Sequence, residues 1–276
     1  MRQMPTGKAV PAFGFLAVGL LMTWDTLARW HRSRLDPAAT RYRNSLRFIP
    51  GRLPLDYLFI AVTCLAGIIE VTAYRGMGFV GFQHAGGYLG FFFLALVVIG
   101  KECKSEAIPP NADYAASILA LSLHYILLEF VDYRVPLENR SVSALKYVIL
   151  TCIVAYSIEM LKPHHITVGL FRCYAVLLQG TWYSQMAYIF SRRHTTWDFE
   201  SLENVTTATV SFILQVVLSA AFILVLSFVI GRHLSYETKR LNLSEPSDPQ
   251  VWRIPFYLRG RRMSPYFSKR FKRLVT

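Results

Sequence analysis

The side chains capable of chemistry are thinly spread in this sequence and sit in apolar surroundings. Four could ligate a metal: His84, His124, Glu129 and Asp132. Zinc-dependent hydrolysis needs about three protein ligands and an activated water, and no close ligand pair recurs on one helix face here. His124 and Asp132 are eight residues apart, about 80° around a helix, and are the only two even loosely aligned. Cys64, Cys103, Cys152 and Cys173 are not spaced as a zinc site, and three of them lie in apolar runs. The expectation is a protein with no resident metal, no cofactor and no assigned catalytic residue, more a binder or scaffold than an enzyme. Two alternatives stay open: an intramembrane metal-dependent hydrolase of lipid amides, and a channel or transporter.

The elements that must position these residues read as membrane spans. The chain has 276 residues, of which 53% are apolar or aromatic, and its mean hydropathy of +0.33 is high for a water-soluble domain. A helix needs about 20 mostly apolar residues to cross the hydrocarbon core. Seven segments qualify, at about 10–27, 55–74, 82–100, 112–131, 143–161, 166–191 and 205–230. The fifth and sixth are separated only by Lys162-Pro163-His164-His165, which demands a tight hairpin. The fold class is all-α: a seven-helix membrane bundle over residues 1–231, followed by a basic tail over 232–276.

Orientation follows from the loop lysines and arginines. With the N-terminus outside or lumenal, twenty-one of them face the cytosol and seven face the other side. Both large basic blocks, Arg29 to Arg52 and Arg232 onward, then share the cytosolic face, which requires an odd number of spans.

Ionisable groups in a spanning helix are costly and turn inward. Near the cytosolic ends lie Asp25, Asp56, Asp113, Glu159 and Arg172. Arg172 sits about a turn and a half inside the sixth span, so it either reaches the headgroups or pairs with Glu159, Asp25 or Asp56. Toward the outer half lie Glu70, His84, His124, Glu129 and Lys146, with Asp132 in the adjoining loop. Gln179, Gln185 and Gln215 run from the middle outward. These residues predict a polar cluster in the outer half. It would be either a solvated cavity for a polar ligand or a set of hydrogen bonds joining packed helices.

The sixth span carries Leu178-Gln179-Gly180-Thr181-Trp182-Tyr183-Ser184-Gln185. This resembles the L-Q-G-[ST]-W-[FY]-x-Q signature of the transmembrane protein 45 family, which includes the transmembrane epididymal proteins. Phe82-Gln83-His84 with Tyr88 is similar to the family's F-Q-H-x-x-x-Y segment, and the likeness extends over about residues 10–232. It implies a multi-pass architecture without an assigned activity. Histidines typical of relatives are absent: the corresponding stretches read Val131-Asp132-Tyr133-Arg134, Ala144-Leu145-Lys146 and Leu214-Gln215-Val216. A metal site resting on them would be lost or rebuilt in this chain.

In the tail, residues 252–274 interleave aromatics with arginine and lysine and contain no acid. The expected partner is an anionic inner-leaflet lipid surface rather than nucleic acid. Ser264, following Arg261-Arg262-Met263, is a candidate phosphosite whose charge would weaken that attraction.

Overall fold

The structure is a computed structural model that describes residues 6–35, 42–49, 54–75, 79–103, 108–130, 135–190 and 197–243. Side chains at 6–10, 70, 73–75, 79–84 and 237–243 lie outside that description. The described residues form seven α-helices and no strand: α1 (Thr6–Leu35), α2 (Leu55–Arg75), α3 (Phe79–Glu102), α4 (Ala112–Glu129), α5 (Pro136–Leu161), α6 (Ile166–Ile189) and α7 (Leu202–Leu243).

Five of the expected segments fall within helices that run further, and the other two, 112–131 and 166–191, match α4 and α6 to within two residues at one end. α5 starts at Pro136 rather than near 143. Proline suits the first helical turn because it has no N–H to leave unpaired, Glu138 complements the positive helix end, and Leu137 is buried against Ile189 and Ala208. α1 continues past 27 to Leu35, and α7 continues past 230 to Leu243. At 42 residues, α7 is about 63 Å long, twice the hydrocarbon thickness of about 30 Å. Apolar patterning marks where a helix can meet lipid, whereas the helix ends are set by capping and packing.

Among the described residues, four helical stretches are long and apolar enough to cross a membrane: Pro11–Leu35, Ala85–Glu102, Pro136–Leu161 and Leu202–Tyr236. α2 contributes a shorter apolar stretch, Leu55–Ile69. α4 spans only 18 residues, and α6 carries Arg172, Gln179 and Gln185 in its interior.

Helices α2 to α6 pack in chain order, each against the next, and α1 lies mainly along α6. α7 closes the assembly against α1, α5 and α6. The α1–α6 contact is made by glycines. A Cβ on Gly19 would lie 2.8 Å from the Leu177 Cα, and one on Gly180 would collide with the backbone of Leu16. Two helix backbones thus touch where side chains normally keep them 8–10 Å apart at their axes. Lower down, Leu27 and Ala28 of α1 bury against Ile230 of α7, and His31 Nε2 meets the Ser227 carbonyl at 3.0 Å.

The outer surface is strongly apolar. On α7, Val217, Leu218, Leu224, Val225 and Phe228 are each 60–73% exposed, and α2 presents Leu58, Phe59 and Val62. Contiguous apolar surface of this extent is foreign to water-soluble monomers.

The glycine contact yields a direct test. Gly180→Ala should destabilise the purified protein by about 1–3 kcal/mol, the usual cost of overpacking. Gly87→Ala, where nothing lies within 4 Å of the added carbon, should be neutral or gain up to about 1 kcal/mol from helix propensity. Equal thermal midpoints for the two variants in one detergent would show that the α1–α6 approach is looser than described.

Candidate functional site

The densest polar arrangement lies at the end of the bundle that carries the α1–α2 connection. Residues 42–49 cross this end as an irregular segment outside any helix. Asn44, Leu46 and Phe48 are buried at 5%, 3% and 7% exposure while Arg43 points outward, a period of two. The segment is tied to the α5–α6 hairpin. Asn44 N donates to the Pro163 carbonyl at 2.7 Å, its Nδ2 donates to His165 O at 3.1 Å, and its Oδ1 accepts from the Tyr42 hydroxyl. Gly169 on α6 leaves room for the Asn44 side chain, which a Cβ there would strike. On the other flank, Asp56 at the start of α2 accepts from the Phe48 and Ile49 amides at 3.1 and 3.4 Å, and Tyr57 donates to Leu46 O at 3.1 Å. Burial pushes the Tyr42 phenol well above its ordinary pKa, with Arg29 partly opposing, so this hydroxyl remains a neutral donor.

At the centre stands Arg172 of α6. Its Nε is 3.0 Å from Glu159 Oε2 of α5, with side chains 1% and 0% exposed. Tyr114 of α4 donates to Glu159 Oε1 at 2.9 Å. Arg172 Nη2 donates to the Ser45 carbonyl at 3.2 Å, and the guanidinium lies 5.7 Å from the centre of the Tyr156 ring. Three helices and the connecting segment therefore converge on one ion pair. Arg172 Nη1 has no hydrogen-bond acceptor among the described residues. Around this centre lie less buried pairs: Arg29–Asp25 and Lys101–Asp113 at 2.7 Å, and Arg47–Glu102 at 2.8 Å, with Arg47 also 4.0 Å from Asp56.

The polar residues of the opposite half are distributed in pairs across helix interfaces. The Tyr183 hydroxyl of α6 lies 2.8 Å from His124 Nε2 of α4. Both rings sit with Phe15 of α1 and Phe91 of α3, and Phe15 stacks on Tyr183 at 5.7 Å. Lys146 of α5 pairs with Glu129 of α4 at 2.8 Å, Glu129 being 58% exposed. Gln215 of α7 donates to Gln185 of α6 at 3.4 Å. Gln179, fully buried, accepts from the Cys152 thiol at 3.5 Å. The side chains of Glu70 and His84, and Asp132 altogether, lie outside the described residues, as do residues 244–276 with Ser264; the first twelve residues of the expected tail, 232–243, are the end of α7. Among the described residues no three His, Cys, Asp or Glu side chains gather as a metal set.

The family-like stretch of α6 thereby acquires physical roles. Gly180 admits α1. Trp182 donates its indole N–H to the Ser141 carbonyl of α5 at 2.9 Å and meets Phe212 of α7 edge-on at 4.9 Å. Tyr183 meets α4, and Gln185 meets α7. The Thr181 hydroxyl turns back to its own helix at Leu178 O, 3.1 Å away. Tyr114, Tyr156, Asn44 and Ser45 were not among the residues singled out from sequence. The alternation at 44, 46 and 48 was the available signal for the connecting segment.

The profile of a family described as a family of unknown function (DUF716) matches residues 111–230. The match runs from the residue before α4 to near Gly231, so it contains Tyr114, Glu159, Arg172 and the α6 stretch.

The central pair predicts strong non-additivity. Removing one member leaves a buried unpaired charge, so Glu159→Leu or Arg172→Met alone should cost about 3–5 kcal/mol, while the double variant should recover most of that loss. Thermal unfolding in detergent measures all four corners of the cycle. Additive losses would mean that the two side chains do not depend on each other.

Proposed function

We propose that this chain is a seven-span integral membrane protein of the transmembrane protein 45 type, N-terminus outside or lumenal and C-terminus cytosolic, working without catalysis as a scaffold or as a binder of lipid or a small ligand. Residues 1–231 form the bundle and 232–276 a basic cytosolic tail. The observation that carries this reading is how the buried polar groups are used. Arg172 with Glu159, Tyr183 with His124 and Gln185 with Gln215 each join one helix to another. Among the described residues the core between the two polar ends is mainly apolar, filled by residues such as Ala120, Ile149 and Val176; Gln179 with its Cys152 contact and Thr23, bonded to Gly19 O of its own helix, are among its polar exceptions.

The exposed apolar faces of α2 and α7 support a lipid environment. Arg29, Arg47, Lys101 and Lys162 gather at the connecting end, which supports placing that end on the cytosolic side. In the tail, Arg261, Arg262, Lys269 and Arg270 flank Ser264. The tail binds the anionic inner leaflet, and phosphate at Ser264 adds about −1.5 to −2 charges that oppose it.

Epitope tags at each terminus, probed before and after selective permeabilisation, should report an external N-terminus and an internal C-terminus. Both tags on one side would refute seven spans. For the tail, vesicle binding by a peptide of residues 244–276 should rise with anionic-lipid content and fall with salt, as the Debye length shrinks from about 10 Å at 0.1 M to about 3 Å at 1 M. It should fall again with phosphoserine at 264. Indifference to lipid charge would leave the tail with a topological role alone.

A further inference from the structure

A lateral groove of about 210 Å³ opens between α5 and α7 above the α6 tryptophan. It exists because the facing positions are small: Ser143 and Ala144 on α5, Ala208 and Thr209 on α7. Its floor is fixed. Trp182 is 1% exposed, held by its hydrogen bond to Ser141 O and by the edge contact with Phe212, so the groove is preformed.

Apart from the exposed Tyr147 at one end, the walls offer little to water. The Ser141, Ser143 and Thr209 hydroxyls are bonded to the Leu137, Asn139 and Val205 carbonyls of their own helices at 2.7, 2.8 and 2.9 Å. The Trp182 N–H is likewise occupied. A cavity without unmet polar partners stays dry and takes apolar matter. One end differs. Arg140 lines the groove at the first turns of α5, is exposed, and has no carboxylate partner among the described residues. From Arg140 to Tyr147 the groove follows α5 for about 10 Å, which is two thirds of the roughly 15 Å hydrocarbon depth of one leaflet.

We infer that this groove is a lipid site: it holds the upper part of one acyl chain of a glycerophospholipid of the outer or lumenal leaflet, with the headgroup phosphate on Arg140. The inference rests on the membrane reading above and assigns a ligand class to it. A guanidinium at the rim of a hydrocarbon slot complements a group that joins a phosphate to a chain. A neutral diacylglycerol has the chain without the phosphate.

The test uses the full-length protein in liposomes, with phosphatidylcholine bearing a diazirine midway along one acyl chain, and separately with diacylglycerol bearing the same chain. Peptide mapping after irradiation should show phospholipid adducts enriched on groove residues of α5 and α7 over the exposed faces of α2 and α3. Two plugging variants, Ala208→Trp and the milder Ser143→Leu, should each abolish the enrichment; either one that keeps its wild-type melting temperature suffices. Arg140→Gln should weaken phospholipid enrichment about tenfold and leave diacylglycerol labelling unchanged. Adducts spread evenly over all exposed apolar faces would overturn the site and leave the membrane reading standing. Groove labelling insensitive to Arg140→Gln, or equal for the two lipids, would overturn phosphate recognition. Protein–protein adducts through α5 and α7 would assign the groove to a second chain instead. No adduct anywhere would overturn the membrane reading along with the site.

Discussion

A guanidinium removed from water needs partners for its charge and its N–H groups, and the connecting end of this protein is organised to supply Arg172 with several of them, Nη1 excepted among the described residues. Arg172 and Glu159 are both essentially without solvent contact. Their mutual attraction offsets several kcal/mol of desolvation per ion only when hydrogen bonds occupy the remaining lone pairs and protons. Tyr114 occupies one Glu159 oxygen and the Ser45 carbonyl takes one arm of the guanidinium. Supplying Ser45 obliges the α1–α2 connection to cross the bundle rather than loop away from it. That crossing in turn requires Gly169 beneath Asn44 and Asp56 beneath the Phe48 amide. One charge deep in α6 thus determines the course of a distant part of the chain.

The same helix organises the other half by geometry instead of charge. Where Gly180 lets α1 approach to backbone contact, the neighbouring Trp182, Tyr183 and Gln185 fan out toward α5, α4 and α7. Removing the side chain at one position brings a helix close, and large amphipathic side chains at the next ones bridge wider gaps. α6 is accordingly the most enclosed helix, whereas α7 leaves most of its apolar residues exposed.

Much of this was legible in the sequence. Seven apolar segments separated by proline, glycine and charge correspond to seven helices, because helix placement in such a chain depends on composition over many residues. The pairing of Arg172 with Glu159 was one of three partners that charge and depth allowed. Choosing among them required the α5–α6 hairpin register, which composition does not contain. The connecting segment was read only through its arginines, although Asn44, Leu46 and Phe48 carry its packing; a three-point alternation is too short to stand out beside a strong charge signal. The outer-half residues were expected to turn inward as a cluster; His124 and Lys146 are partly buried, whereas Glu129 is mostly exposed. Their partners, Tyr183 for His124 above all, are aromatic residues that hydropathy scores as ordinary core.

The length of α7 sets a distance. Past Ile230 the helix continues for thirteen residues to Leu243, about 20 Å along its axis. A rigid rod of that length fixes where the chain leaves the helices: each turn added or removed beyond Tyr236 would move the exit point by about 5.4 Å, while the packing of Leu234 on Leu27, Ala28 and Ile230 stays as it is.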